Sequence, residues 1–231
     1  MKQQLGFALS ILTSATFLAY PLQAAPLPSE IEQPALSQPA AKATVLTLED
    51  LPSGFQEVPP SMKAEIAARL KPFQQLLLKD NLPLNNFSAF VEPQKMEVVI
   101  GFTGMLSNQV QQAQFDAAIQ KTRSPKFQQE IKKLADKLPS SQEVKVLGYK
   151  SLPDMNNLAQ SSTGFSIDTT IQEMPVNFDF ISFRRSSVGA LTAVVYLSGK
   201  QPSISVKDVA TKLDGHLLQA SPTIKEPSAS Q

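Results

Sequence analysis

Cysteine and tryptophan are both absent from the 231-residue chain, and histidine occurs once, as His216. Without thiols there is no disulfide, no thiolate nucleophile and no zinc centre built on sulfur. One imidazole cannot supply the three His or Cys ligands of a transition-metal site, and it is the sole imidazole that could activate a serine. Glycine is scarce too, at nine residues. Neither P-loop nor Rossmann spacing appears, and the Gly-x-Ser-x-Gly elbow of serine hydrolases is missing. No Asp-x-Asp-x-Asp loop offers a calcium site. The sequence therefore implies no metal and no cofactor. Charge of one sign is lacking as well: 21 basic residues face 20 acidic ones. That balance argues against a nucleic-acid partner, which wants a basic face, and against electrostatic adhesion to anionic lipid.

What is present begins with an export signal. Lys2 is the one charged residue before Glu30, and Leu5 to Tyr20 is a nearly continuous apolar run. Pro21 ends it, and Ala24-Ala25 offers small residues for cleavage. A basic start, an apolar middle and a small-residue exit make a signal peptide over residues 1–24. Ser10, Thr13, Ser14 and Thr16 dilute the run against a permanent membrane span, which needs about 20 apolar residues. The expected product is extracytoplasmic, in a periplasm, a thylakoid lumen or outside the cell, with no stable membrane insertion. Residues 25–42, rich in Pro, Ala, Ser and Gln, read as a flexible tether. Residues 221–231 read as a disordered tail, and residues 43–220 as one domain.

Four segments carry a helical period. Met62, Ile66, Leu70, Phe73 and Leu77 form one stripe, in which Pro72 is expected to kink or restart the helix. Phe115, Ala118, Ile119 and Thr122 form a second, opposite a glutamine-rich face. Ser124 and Pro125 open a third, with Phe127, Ile131, Leu134 and Leu138 inward. Ser205 to Asp208 resembles a capping box and leads into Val206, Val209, Leu213, Leu217 and Ala220. Strands are expected at 86–91 and 95–103, joined by Glu92-Pro93-Gln94, and at 143–149. A meander follows over 164–172, 176–185 and 188–197. Phe178 and Phe180 point one way while Ile181 and Phe183 point the other, and a strand apolar on both faces is covered on both. The fold class is therefore α+β: a mainly antiparallel curved sheet of about six strands with helices on both faces. A pattern Val-Leu-x-x-x-x-Leu-Pro occurs at Val45–Pro52 and again at Val146–Pro153, with chance as the default explanation.

Few residues qualify as site candidates. Gly101 to Gly104 is the nearest approach to a phosphate cradle and reads as a strand-to-helix turn. Glu49-Asp50 and Asp168 with Glu173 are the only carboxylate pairs, and solvated loop acids are the simpler reading. His216 borders an apolar stripe and reads as structural. Arg184 and Arg185 end an apolar strand, and alternation sends them to opposite faces. One is expected to brace the hairpin while the other docks an acidic partner group. Phe55, after a rigid Leu-Pro-Ser-Gly turn, reads as a core plug or as the lining of a pocket.

The stretch Asp50-Leu51-Pro52-Ser53-Gly54-Phe55 resembles the "DLPxGF/W" opening of a group of exported bacterial proteins and lipoproteins. Phe183-Arg184-Arg185-Ser186-Ser187, followed by Ala210-Thr211-Lys212-Leu213-Asp214, resembles their closing pattern of strand, hairpin and "LA-x-KLD" helix. Ser186-Ser187 stands where a Gly-Asn or Gly-Asp turn is the more usual form, and the lipoprotein cysteine is absent. The element order is also similar to that of luminal photosystem accessory proteins, an architectural analogy. The resemblance implies an exported binding or scaffold domain and supplies no reaction. The expected function is a non-enzymatic accessory domain that binds a partner protein or an apolar small molecule. The alternatives are a lipid or hydrophobic-ligand carrier, marked by an apolar cavity of several hundred cubic ångströms, and a hydrolase using a Ser-Lys pair.

Overall fold

In the computed structural model, which describes residues 45–78, 84, 86–135 and 144–220, these patterns become an antiparallel sheet with helices on both faces. The strands are β1 (Gln56–Glu57), β2 (Asn86–Glu92), β3 (Glu97–Met105), β4 (Val144–Ser151), β5 (Ser161–Ile171), β6 (Met174–Arg185) and β7 (Val188–Leu197). The helices are α1 (Pro60–Leu78), α2 (Gln109–Thr122), α3 (Pro125–Ala135) and α4 (Val206–Ala220). The sheet order is β1-β2-β3-β7-β6-β5-β4, with every neighbouring pair antiparallel. The expected α+β fold is thus the observed one, with a seventh strand, β1. That strand is two exposed residues long, too short to leave a period in the sequence. The expected signal peptide, tether and tail fall outside the described residues, as do Leu138 and the side chains of Phe73, Leu77 and Leu134.

Strand alternation divides the interior into two cores. On the first face Phe165, Phe180, Ile100 and Phe102 pack against Ile66 of α1, Phe115 and Ile119 of α2, and Phe127 and Ile131 of α3. Phe165 is the hub of its aromatics, 5.5 Å from Phe127, 5.4 Å from Tyr149 and 5.2 Å from Phe180. On the second face Ile181, Phe183 and Val194 meet Val206, Val209, Leu213 and Leu217 of α4. The division of Phe180 from Ile181 and Phe183 is the one that alternation predicts.

The helix starts follow from side-chain chemistry. Asn108 Oδ1 accepts from Gln111 N at 2.9 Å, Ser124 Oγ from Phe127 N at 3.3 Å, and Ser205 Oγ from Asp208 N at 3.1 Å. Each satisfies one of the amide groups that a helix start leaves unpaired.

Two of these expectations change in part or whole, and a third holds. Helix α1 does not restart at Pro72 but runs through it as one element, because the missing amide removes one bond and its neighbours carry the helix on. Gly101 to Gly104 lies within β3, and its residues pair with β2 and β7. Amides engaged in a ladder cannot cradle phosphate, and a Cβ at Gly101 would approach Ser88 Oγ to 2.7 Å. The repeated Val-Leu-x-x-x-x-Leu-Pro pattern folds in two ways. Its first copy holds the 3₁₀ turn Leu48–Asp50, whereas the second runs along β4, so the chance explanation stands.

Candidate functional site

The two candidate arginines sit at the end of β6, where alternation sends Arg184 to the first face and Arg185 to the second. Arg184 donates from Nε to Asp116 Oδ1 at 2.9 Å and from Nη2 to Asp116 Oδ2 at 2.7 Å. Arg185 donates from Nε to Asp214 Oδ1 at 2.7 Å and from Nη2 to Asp214 Oδ2 at 2.5 Å. Each is a two-pronged pair, the geometry at which a guanidinium excels. In both cases the hydrogen-bonded carboxylate raises the arginine pKa from its ordinary value, outweighing desolvation. One bracing and one docking arginine were expected, yet both brace. Arg184 clamps the sheet to α2, and Arg185 clamps it to α4. Both forks are filled by carboxylates of this chain.

These pairs fix the turn above them. Between β6 and β7 the chain reverses at Ser186-Ser187, and Ser186 takes a φ of 52°. That is the left-handed region, where a side chain costs about 1–2 kcal/mol. Its surroundings hold it there: Ser186 N donates to Gln160 Oε1 at 2.5 Å, and Arg184 Nη1 donates to Ser186 O at 2.9 Å. Ser187 ties the turn to the end of β3. Leu106 N donates to Ser187 O at 2.7 Å, and Ser187 Oγ donates to Met105 Sδ at 3.3 Å. Met105 is 58% exposed, and Val110, in the first turn of α2, is 65% exposed. A rigid turn with two exposed apolar side chains at the same end of the sheet is the candidate interface.

Phe55 stands elsewhere. It is buried in the second core with Leu46 and Phe90, so of its two readings the core plug is the one observed. His216 is also structural: Nδ1 lies 2.9 Å from Val45 O and Nε2 lies 3.1 Å from Asp50 Oδ1. Asp50 further accepts from Thr47 N at 2.7 Å. The carboxylate of the "DLPxGF" stretch therefore pins the segment around Val45–Asp50 to α4. Glu49, its neighbour, is exposed. Asp168 stands on β5 opposite Gly148, whereas Glu173 occupies the β5–β6 turn, so the two are not cross-strand neighbours.

A pair of buried acids escapes any periodic reading of the sequence. Glu92 and Glu97 lie directly opposite each other across the β2–β3 hairpin, and both are buried. Glu97 Oε2 accepts from Ser203 N at 2.8 Å, and Glu97 Oε1 has no hydrogen-bond partner among the described residues. Ser203 Oγ in turn receives Lys95 Nζ at 2.8 Å. A Ser-Lys nucleophile needs an amine dried by burial, and Lys95 is exposed. The only available signal was an acid on either side of the Pro-Gln-Lys-Met turn.

Between Leu70 of α1 and the first face, lined by Ile100, Phe102, Phe178 and Val195, lies a void of about 10 Å³, room for about one water. Among the described residues no three His, Asp or Glu side chains gather as metal ligands, and no helix is long and apolar enough to cross a membrane. No protein-family model matches the chain, and no curated protein matches it.

Proposed function

We propose that the chain is an exported, non-enzymatic accessory domain that binds a partner protein at the sheet end bearing the Ser186-Ser187 turn. The observation that carries this reading is the exposure of Met105 beside a turn held by Arg184 and Gln160, with Val110 exposed in the first turn of α2. Side chains on a rigid support lose little freedom on docking, and methionine is enriched in interface cores. The apolar signal-like start and the resemblance to exported bacterial proteins support the extracytoplasmic setting. The apolar gap of about 10 Å³ against the first face lends no support of its own to an enclosed lipid or apolar ligand, since ligand pockets run to several hundred cubic ångströms. The exposed Lys95 lends no support to the Ser-Lys hydrolase.

The test uses the full chain as bait in the envelope fraction of its source cell, alongside Met105→Glu and Val110→Glu. The reading expects a protein retained by the wild type and lost by both variants, with melting temperatures unchanged. A partner held equally by all three would place the interface elsewhere.

A further inference from the structure

We propose that Met105 is a peroxide-reactive modification site. The chain has six methionines and no cysteine, so reversible sulfur redox chemistry is confined to thioethers. Among the described residues Met62, Met96 and Met174 are half-buried, Met155 is buried, and Met105 is exposed at 58%. Met105 is the last residue of β3, where its backbone pairs with Val188, and its side chain belongs to neither core. Reactivity at a thioether follows access, because an oxidant must reach the sulfur lone pair.

The chemistry balances with a hydroperoxide as the oxidant. The sulfur lone pair attacks one peroxide oxygen, and the S–O bond forms as the O–O bond breaks. Sulfur loses two electrons, and the proton shed by the transferred oxygen passes to the departing oxygen, which leaves as water or an alcohol. The product is a sulfoxide, polar and chiral where an apolar side chain stood. Ser187 Oγ, which donates to the sulfur at 3.3 Å, lies within reach of the new oxygen as a donor. Because Met105 fills no core position, the oxidised chain keeps its fold while its exposed apolar end becomes polar. The consequence for docking rests on the reading above; the modification site does not.

The full chain is treated with dilute hydrogen peroxide, and its peptides are mapped by mass over time. Met105 should gain one oxygen several-fold faster than Met62, Met96 or Met174, with Met155 last and the melting temperature unchanged. A methionine sulfoxide reductase should reverse the gain. Oxidation of Met105 no faster than that of the half-buried methionines would overturn the proposal. Met105→Leu separates the docking consequence, since it stays apolar and cannot be oxidised there. Treated wild type should lose a partner that treated Met105→Leu retains. Equal retention would sever the link to docking, and the mass map would still decide the modification site.

Discussion

Gly54 couples two segments that lie far apart in the chain. It adopts a φ of 106°, and a Cβ there would sit 1.9 Å from Glu92 Oε2. Gly54→Ala should cost roughly 1–3 kcal/mol, the scale of a strained backbone residue, read as a lowered denaturant midpoint. The arginine clamps allow a second residue-level test. Arg185→Lys keeps the charge but loses the two-pronged contact with Asp214, and should cost about 1–3 kcal/mol. Equal stability of Arg185→Lys and wild type would mean the fork geometry contributes nothing. Tyr149 gives the pH dependence. Burial pushes its phenol up to about 12 from an ordinary 10, and its hydroxyl donates to Thr122 O at 2.8 Å. Between those two values the unfolded chain releases the proton while the folded chain keeps it. Stability should therefore be intact below about pH 10 and fall as pH rises towards 12. Melts of Tyr149→Phe should show a shallower alkaline decline than the wild type.

At the scale of elements, the hairpin turns depart from the usual chemistry. Met96, Gln172, Glu173 and Ser186 all hold positive φ without being glycine. In the β5–β6 turn both central residues do so, the pattern for which Asn-Gly is preferred. Replacing Gln172-Glu173 by Asn-Gly should raise stability by about 1 kcal/mol, measured by chemical denaturation. No gain would mean the side chains of Gln172 or Glu173 offset the strain. Helix α4 supplies the contrasting case. Leu213 is fully buried and Lys212 is exposed, so Leu213→Ala should cost about 2–5 kcal/mol and Lys212→Ala little.

Legibility in the sequence followed the same physics. The α4 stripe and the two-faced β6 were readable because alternation and helical period are local. The pairing of β3 with β7 was not, since no local pattern records which strand edges meet. Arg184 and Arg185 could be assigned to opposite faces from alternation alone. Their partners Asp116 and Asp214 could not, because those lie 68 and 29 residues away in the chain. Ser186 was legible as a turn residue, but the contact between Met105 and Ser187 arises only when β3 is placed beside β7. The burial of Glu92 and Glu97 was equally hidden, as buried acids carry no period of their own.

At the scale of the whole molecule, the described residues form two cores and one sheet, and cooperativity depends on how the two cores are joined. Strand β6 sends Phe180 into the first core and Ile181 and Phe183 into the second, so neither core can be lost while the other keeps a regular strand. Arg184 and Arg185 repeat this at the strand's end by clamping α2 on one side and α4 on the other. Damage to either face should therefore lower one shared unfolding transition. Phe115, fully buried on the first face and packed against Gly189 of β7, is the natural partner to Leu213 on the second. Phe115→Ala should cost about 3–5 kcal/mol, and both variants should still unfold in a single step. Calorimetry provides the check, since the calorimetric and van't Hoff enthalpies agree for a two-state unit. Two resolved transitions in either variant, with one core melting while the other survives, would show that the sheet does not bind its faces into one unit.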